Sequence, residues 1–236
     1  MREERPTLAS QVANSLRDRI VSGELAPDMQ LRVQSLSEHY AVALSPVREA
    51  LNRLASEGIV TAYDMRGFFV ASVSVADLDE LTRTRCWLNE TALRHSMRQA
   101  DPDWEEAVLL AFHRLSRLPR RQADGLVNPE WTDGHRQFHR ALTAGCRSSI
   151  LIEFCEQLFM QAERYRNLSR KAASASPGQR DDEHRLVVDA VLGRNADAAV
   201  QVLNAHFEAT AALCRSLLGP EAEAAEPAPS RTEPRP

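Results

Sequence analysis

His135 and His139 stand four positions apart in His135-Arg136-Gln137-Phe138-His139. Residues at that spacing share one face of a helix, so both imidazoles can reach a single ion. Neutral imidazole suits Zn²⁺ or Ni²⁺ and disfavours Ca²⁺ and Mg²⁺, which take oxygen ligands. Hydrolysis at such an ion would need a general base. The HExxH arrangement puts glutamate directly after the first histidine, where this chain has Arg136. The helical di-iron pattern needs Glu-x-x-His, whereas Glu183 and His184 are adjacent. A helical-bundle metalloenzyme is thus the weaker reading, and no catalytic residue is assigned.

A second set of residues suits DNA. Ser45-Pro46-Val47-Arg48-Glu49-Ala50-Leu51-Asn52-Arg53-Leu54 reads as a helix with Val47, Ala50, Leu51 and Leu54 turned inward. Ser45, Arg48, Asn52 and Arg53 remain outside. A helix fits the major groove, where an arginine fork can bond a guanine edge, and a helix N-terminus can meet a phosphate. Composition gives no help: the net charge is −4, and residues 1–73 hold eight arginines against nine acidic residues. DNA binding must therefore come from arginine placement.

The elements that would carry these residues change character near residue 73. Val12, Leu16 and Ile20, with Leu8, mark the apolar face of a helix over residues 8–22, and Val33, Leu36 and Tyr40 mark a short second one. Ser45 reads as the N-cap of the third helix, with Pro46 at its first position, and Gly58 as its stop. Residues 59–63 and 68–73 are β-prone runs around the turn Asp64-Met65-Arg66-Gly67. Three helices and a two-stranded wing make a winged helix-turn-helix over residues 1–73, with Arg66 at the wing. From Ser74 the pattern is helical, with start signals at Ser74, Asp101-Pro102, Asn128-Pro129, Ser148 or Ser149, near Pro177, and at Asn195. The fold class is mainly α, with an all-helical six-helix bundle over residues 74–219. A loop is expected at about 119–127. Residues 220–236, rich in proline and poor in apolar bulk, are expected to be disordered.

No apolar run of about 18 residues is present, so no membrane association is expected. MREERPTLAS lacks the apolar stretch of a signal peptide, which points to the cytoplasm. Cys86, Cys146, Cys155 and Cys214 form no CxxC pair and read as small core thiols.

Residues 8–73 resemble the GntR family of winged-helix regulators. The resemblance is carried by Ile20-Val21-Ser22-Gly23-Glu24-Leu25-Ala26-Pro27, by Tyr40-Ala41-Val42, and by Pro46-Val47-Arg48-Glu49-Ala50-Leu51-Asn52-Arg53-Leu54 with Glu57-Gly58. It implies that Arg48 contacts the operator and that Gly67 lies at the wing tip near the minor groove. Two positions often used by the family differ: Gln34 stands where arginine is common, and Leu44 precedes the recognition helix.

Residues 75–217 resemble the FCD-type regulatory domain of the FadR subfamily, on Arg85 with Leu88, Gln137-Phe138-His139-Arg140-Ala141-Leu142, Glu183-His184, and His206. The resemblance implies a divalent metal, Zn or Ni, held by His139, His184, His206 and His135, the last replacing an aspartate. Histidine, Arg164-Tyr165-Arg166 and Cys146-x-Ser148 patterns also resemble the carbon-starvation branch, which implies a small organic acid, dicarboxylates included, as effector. Arg85, Arg164 and Arg166 are the residues expected to neutralise its carboxylates. The whole implies a homodimeric repressor released from a two-fold-symmetric operator, with a ligand-independent DNA-binding adaptor as the alternative.

Overall fold

The computed structural model describes residues 6–99, 101–123, 128–172 and 181–218. They form two compact units. The first runs to Leu78 and also takes the second part of a long helix, from Met160, and the end of the last helix, from Cys214. The second takes Asp79–Phe159 and the last two helices up to Leu213. Two later helical segments thus pack with the N-terminal elements.

In the first unit, α1 (Leu8–Val21) starts at Thr7, whose side chain accepts from the Ser10 N–H. Val12, Ala13, Leu16 and Ile20 are buried, but Leu8 is 54% exposed, so the expected apolar stripe begins one turn late. Ala9 takes the buried place in that first turn. After β1 (Gln30–Leu31), α2 (Val33–Tyr40) ends at Ala41 in the left-handed region. Helix α3 (Leu44–Ser56) follows. Its N-cap is Ala43, which offers no side-chain cap, so Ser45 and Pro46 sit inside the first turn and Ser45 does not cap it. Proline is tolerated there because first-turn N–H groups lack intrahelical partners. Val47, Ala50, Leu51 and Leu54 are each no more than 1% exposed, and burying such a side chain contributes about 1.5–3 kcal/mol for the larger ones.

Strands β2 (Val60–Tyr63) and β3 (Gly67–Val70) pair antiparallel with Tyr63 opposite Gly67 and Val60 opposite Val70. Gly67 has φ +88°, which a side chain would resist. The wing holds a third strand that the alternation of residues did not reveal: β1 pairs with β3, giving the order β1-β3-β2. Two residues are too few for a period-two signal.

Six helices follow: α4 (Val75–Gln99), α5 (Pro102–Ser116), α6 (Pro129–Ala144), α7 (Ser149–Ala172), α8 (Asp181–Leu192) and α9 (Ala196–Leu217). Five start signals act as caps. The side chains of Ser74, Asp101, Asn128, Ser148 and Asn195 accept from the backbone N–H groups of Asp77, Asp103, Glu130, Leu151 and Ala198. The start expected near Pro177, the expected tail at 220–236 and part of the 119–127 loop lie outside the described residues. The second unit's core gathers Leu93, Trp104, Val108, Phe138, Leu142, Val187, Leu203 and Phe207 from α4, α5, α6, α8 and α9. This core sets the facing surfaces from which the histidines project.

Candidate DNA-reading face and metal centre

Burial of the α3 stripe leaves Ser45, Arg48 and Asn52 together on the exposed side of that helix. Arg53 is exposed too, but its Nε lies 3.4 Å from Glu57, which also takes a two-bond fork from Arg17 at 2.6 and 2.7 Å. Arg53 is thereby drawn toward the C-terminal end of α3. Gln34 is exposed on α2 and donates to Glu38 at 3.0 Å. Arg66 and Gly67 are exposed at the wing, with the Arg66 guanidinium 5.6 Å from the Tyr63 ring centre. Gln34, Ser45, Arg48, Asn52, Arg53, Arg66 and Gly67 thus all lie at the surface of the first unit.

In the second unit, α6 supplies His135 and His139, α8 supplies His184 and α9 supplies His206. Their four ligand nitrogens lie within 4.8 Å of one another, and all four residues are buried. The Nε2 atoms of His135 and His139 are 3.0 Å apart. Two nitrogens bound tetrahedrally at about 2.0–2.1 Å from Zn²⁺ would sit roughly 3.4 Å apart, so the spacing is of the right size. The α6 helix fixes the first pair by its four-residue repeat; the other two arrive only through packing. Trp131 stacks on His135, with ring centres 4.7 Å apart and planes 12° apart, and restrains that ring.

Glu183 supplies what the histidine spacing did not indicate. Its Oε2 lies 2.6 Å from His206 Nδ1. A carboxylate there keeps the proton on Nδ1 and leaves the Nε2 lone pair for a metal. In the sequence Glu183 is only the neighbour of His184, since a partnership across two helices leaves no mark in local spacing. Four buried imidazoles, one oriented by a carboxylate, and no acidic ligand among them fit Zn²⁺ or Ni²⁺.

A small cavity adjoins His139. Its buried lining includes Arg85, Asn89, Thr143, Cys155 and Phe159, and its outer rim Arg136, Arg140 and Glu156. Arg85 lies with its guanidinium carbon 4.0 Å from the Phe207 ring centre and 6.0 Å from that of Phe159. Burial pushes the Cys155 thiol up to about 11, so it stays protonated and behaves as a core group.

The other two expected effector arginines have different surroundings. In the first unit, Arg164 donates to the backbone carbonyls of Ala71 and Ser72. Burial lowers its pKa to about 10, which leaves it charged at neutral pH. Arg166 pairs with Glu163 at 2.7 Å, both side chains almost fully buried. Neither lines the cavity, so of the three arginines expected to neutralise an effector's carboxylates only Arg85 stands at it; local composition cannot distinguish a ligand-facing arginine from one bound to backbone. Arg136 and Arg140, which do line the cavity, each follow a histidine in a His-Arg doublet repeated at four residues, the one local signal that could have pointed to them.

Comparison with known proteins agrees with this architecture. The model of bacterial regulatory proteins of the gntR family matches residues 8–70, and that of the FCD domain matches residues 80–209. The HTH-type transcriptional regulator BphR of Paraburkholderia xenovorans is 35% identical over 203 residues, covering 85% of this chain and 82% of that protein. The HTH-type transcriptional repressor GlaR of Escherichia coli is 33% identical over 195 residues, covering 81% and 89%. The solved structure of E. coli McbR/YncC shares the fold, with a TM-score of 0.72, 23% identity and coverage of 89% of this chain and 98% of that one. The chain belongs to the GntR family, carries an FCD domain, and is a DNA-binding transcription regulator rather than an enzyme. No helix among the described residues is long and apolar enough to cross a membrane.

Proposed function

We propose that this protein is a cytoplasmic, homodimeric repressor that leaves its operator when a small organic acid binds beside a metal in the FCD domain. The observation that carries this reading is the adjacency of the buried His135–His139–His184–His206 cluster and a cavity rich in arginine, with His139 belonging to both. When bound, a Zn²⁺ or Ni²⁺ ion would supply a fixed positive charge that attracts a carboxylate. Arg85 would hold the acid by a charge-assisted fork, its own charge resting on the Phe207 face. Trp131 and Glu183 hold two of the imidazoles in position.

On the DNA side, Arg48 with Ser45 and Asn52 would read the major groove, Gln34 and Arg53 would flank it, and Arg66 with Gly67 would approach the minor groove. A dimer would present two such faces to a palindrome. An effector that binds the DNA-incompetent state about 100-fold better lowers operator affinity by roughly 2.7 kcal/mol, and operator must weaken effector binding by the same factor. Calorimetry with C4 to C6 mono- and dicarboxylates, with and without operator DNA, tests this reading. Reciprocal weakening is expected. An acid that binds equally well in both conditions would overturn the regulatory link.

A further inference from the structure

We infer that Arg140 and Glu156 form a charge latch on the effector cavity, opened by a diacid whose second carboxylate takes Glu156's place on Arg140. This rests on the sensing reading above and names the residue pair that would select diacids over monoacids.

The charges around the cavity set the ligand class. Three guanidinium groups, Arg85, Arg136 and Arg140, line it together with one carboxylate, Glu156. A dianion meets more of that positive charge than a monoanion does. Arg85 is buried in the floor, while Arg136 and Arg140 are exposed at the rim. The floor and rim thus offer cations at two depths, one for each end of a diacid.

The rim already shows a carboxylate in the place assigned to the ligand. Arg140 Nη1 lies 2.7 Å from Glu156 Oε1, joining α6 to α7. That oxygen is shut off from solvent, yet the contact is not aligned as a good hydrogen bond. The Arg140 side chain is 57% exposed, so its end of the pair is open to water, which screens the attraction. A ligand carboxylate able to align two N–H donors of Arg140 would exchange like for like at this position and gain a better geometry. Exchange also creates room. The enclosed space is only about 10 Å³, close to one water, so an organic acid has to displace part of the wall. The buried floor side chains are held by packing, which leaves the rim pair as the part that can move.

The test is calorimetry on the full-length, Zn²⁺-loaded protein with succinate, glutarate and adipate, and with butyrate, valerate and hexanoate as length-matched monoacids. Arg140→Gln should weaken the best diacid about tenfold and leave monoacids within about twofold, the loss of one charge-assisted contact. Glu156→Gln should tighten the same diacid, because the internal competitor has lost its charge. Zinc stoichiometry and melting temperature establish that each variant is folded, and Arg140→Lys, which keeps the charge, should recover part of the diacid affinity. Diacid binding that ignores Arg140→Gln, or that weakens in Glu156→Gln, overturns the latch. If both acid classes bind wild type and fail only in Arg85→Ala, the sensing reading stands without the latch; if no acid binds wild type, both fall.

Discussion

Glu183 on α8 and His206 on α9 face each other at 2.6 Å, carboxylate oxygen to Nδ1. The pair fixes which nitrogen of His206 is offered to the metal centre. Removing an orienting partner of this kind typically costs 10- to 100-fold in metal affinity. Glu183→Ala is therefore expected to weaken Zn²⁺ binding about 10- to 100-fold in a chelator-competition titration. Unchanged affinity would mean that the carboxylate plays no part in preparing the ligand.

The four-imidazole site should also respond to pH. Ligation needs neutral rings, and free imidazole titrates near pH 6.5, so protons compete with the metal increasingly as pH falls through about 6. Zn²⁺ occupancy is expected to be full near pH 8 and lost toward pH 5, read by elemental analysis after gel filtration. At saturating metal the folded protein gains about 2.7 kcal/mol when free Zn²⁺ is 100 times its Kd, and His139→Ala should abolish the corresponding rise in melting temperature.

Arg48 is exposed on the helix face shared with Ser45 and Asn52. If it forks onto a base, Arg48→Ala should cost about 1–3 kcal/mol of specific operator binding and spare most non-specific binding. A gel-shift titration against specific and scrambled duplexes reads both. Equal loss on both duplexes would reassign Arg48 to the phosphate backbone.

Arg164 has a structural task in the first unit that separates it from Arg85. Gln161, Arg164 and Asn167 stand three residues apart on α7 and donate to the carbonyls of Glu57, of Ala71 with Ser72, and of Val21. They bind the ends of α3, β3 and α1. Arg164→Ala leaves buried carbonyls without their donor, at about 1–3 kcal/mol. Faster hydrogen exchange in the peptides around residues 57–74 is expected, with Zn²⁺ stoichiometry unaltered. Loss of metal in this variant would contradict the assignment.

Much of this protein was legible in its sequence because local rules suffice for it. The α3 stripe of Val47, Ala50, Leu51 and Leu54 follows from helical periodicity, the caps at Asp101 and Asn128 from side chains that reach their own backbone, and the His135–His139 pair from a four-residue repeat. Resemblance to a known family added His184 and His206, which periodicity alone could not have joined to them. Tertiary structure decided the rest. Whether Arg164 meets a ligand or the Ala71 carbonyl, whether Glu183 serves His206, and whether Arg140 stands at a cavity rim opposite Glu156 all depend on which helices lie side by side. The physical reason is one of range: capping and facial periodicity act within a few residues, whereas hydrogen-bond and charge partners are set by apolar packing between helices far apart in the chain.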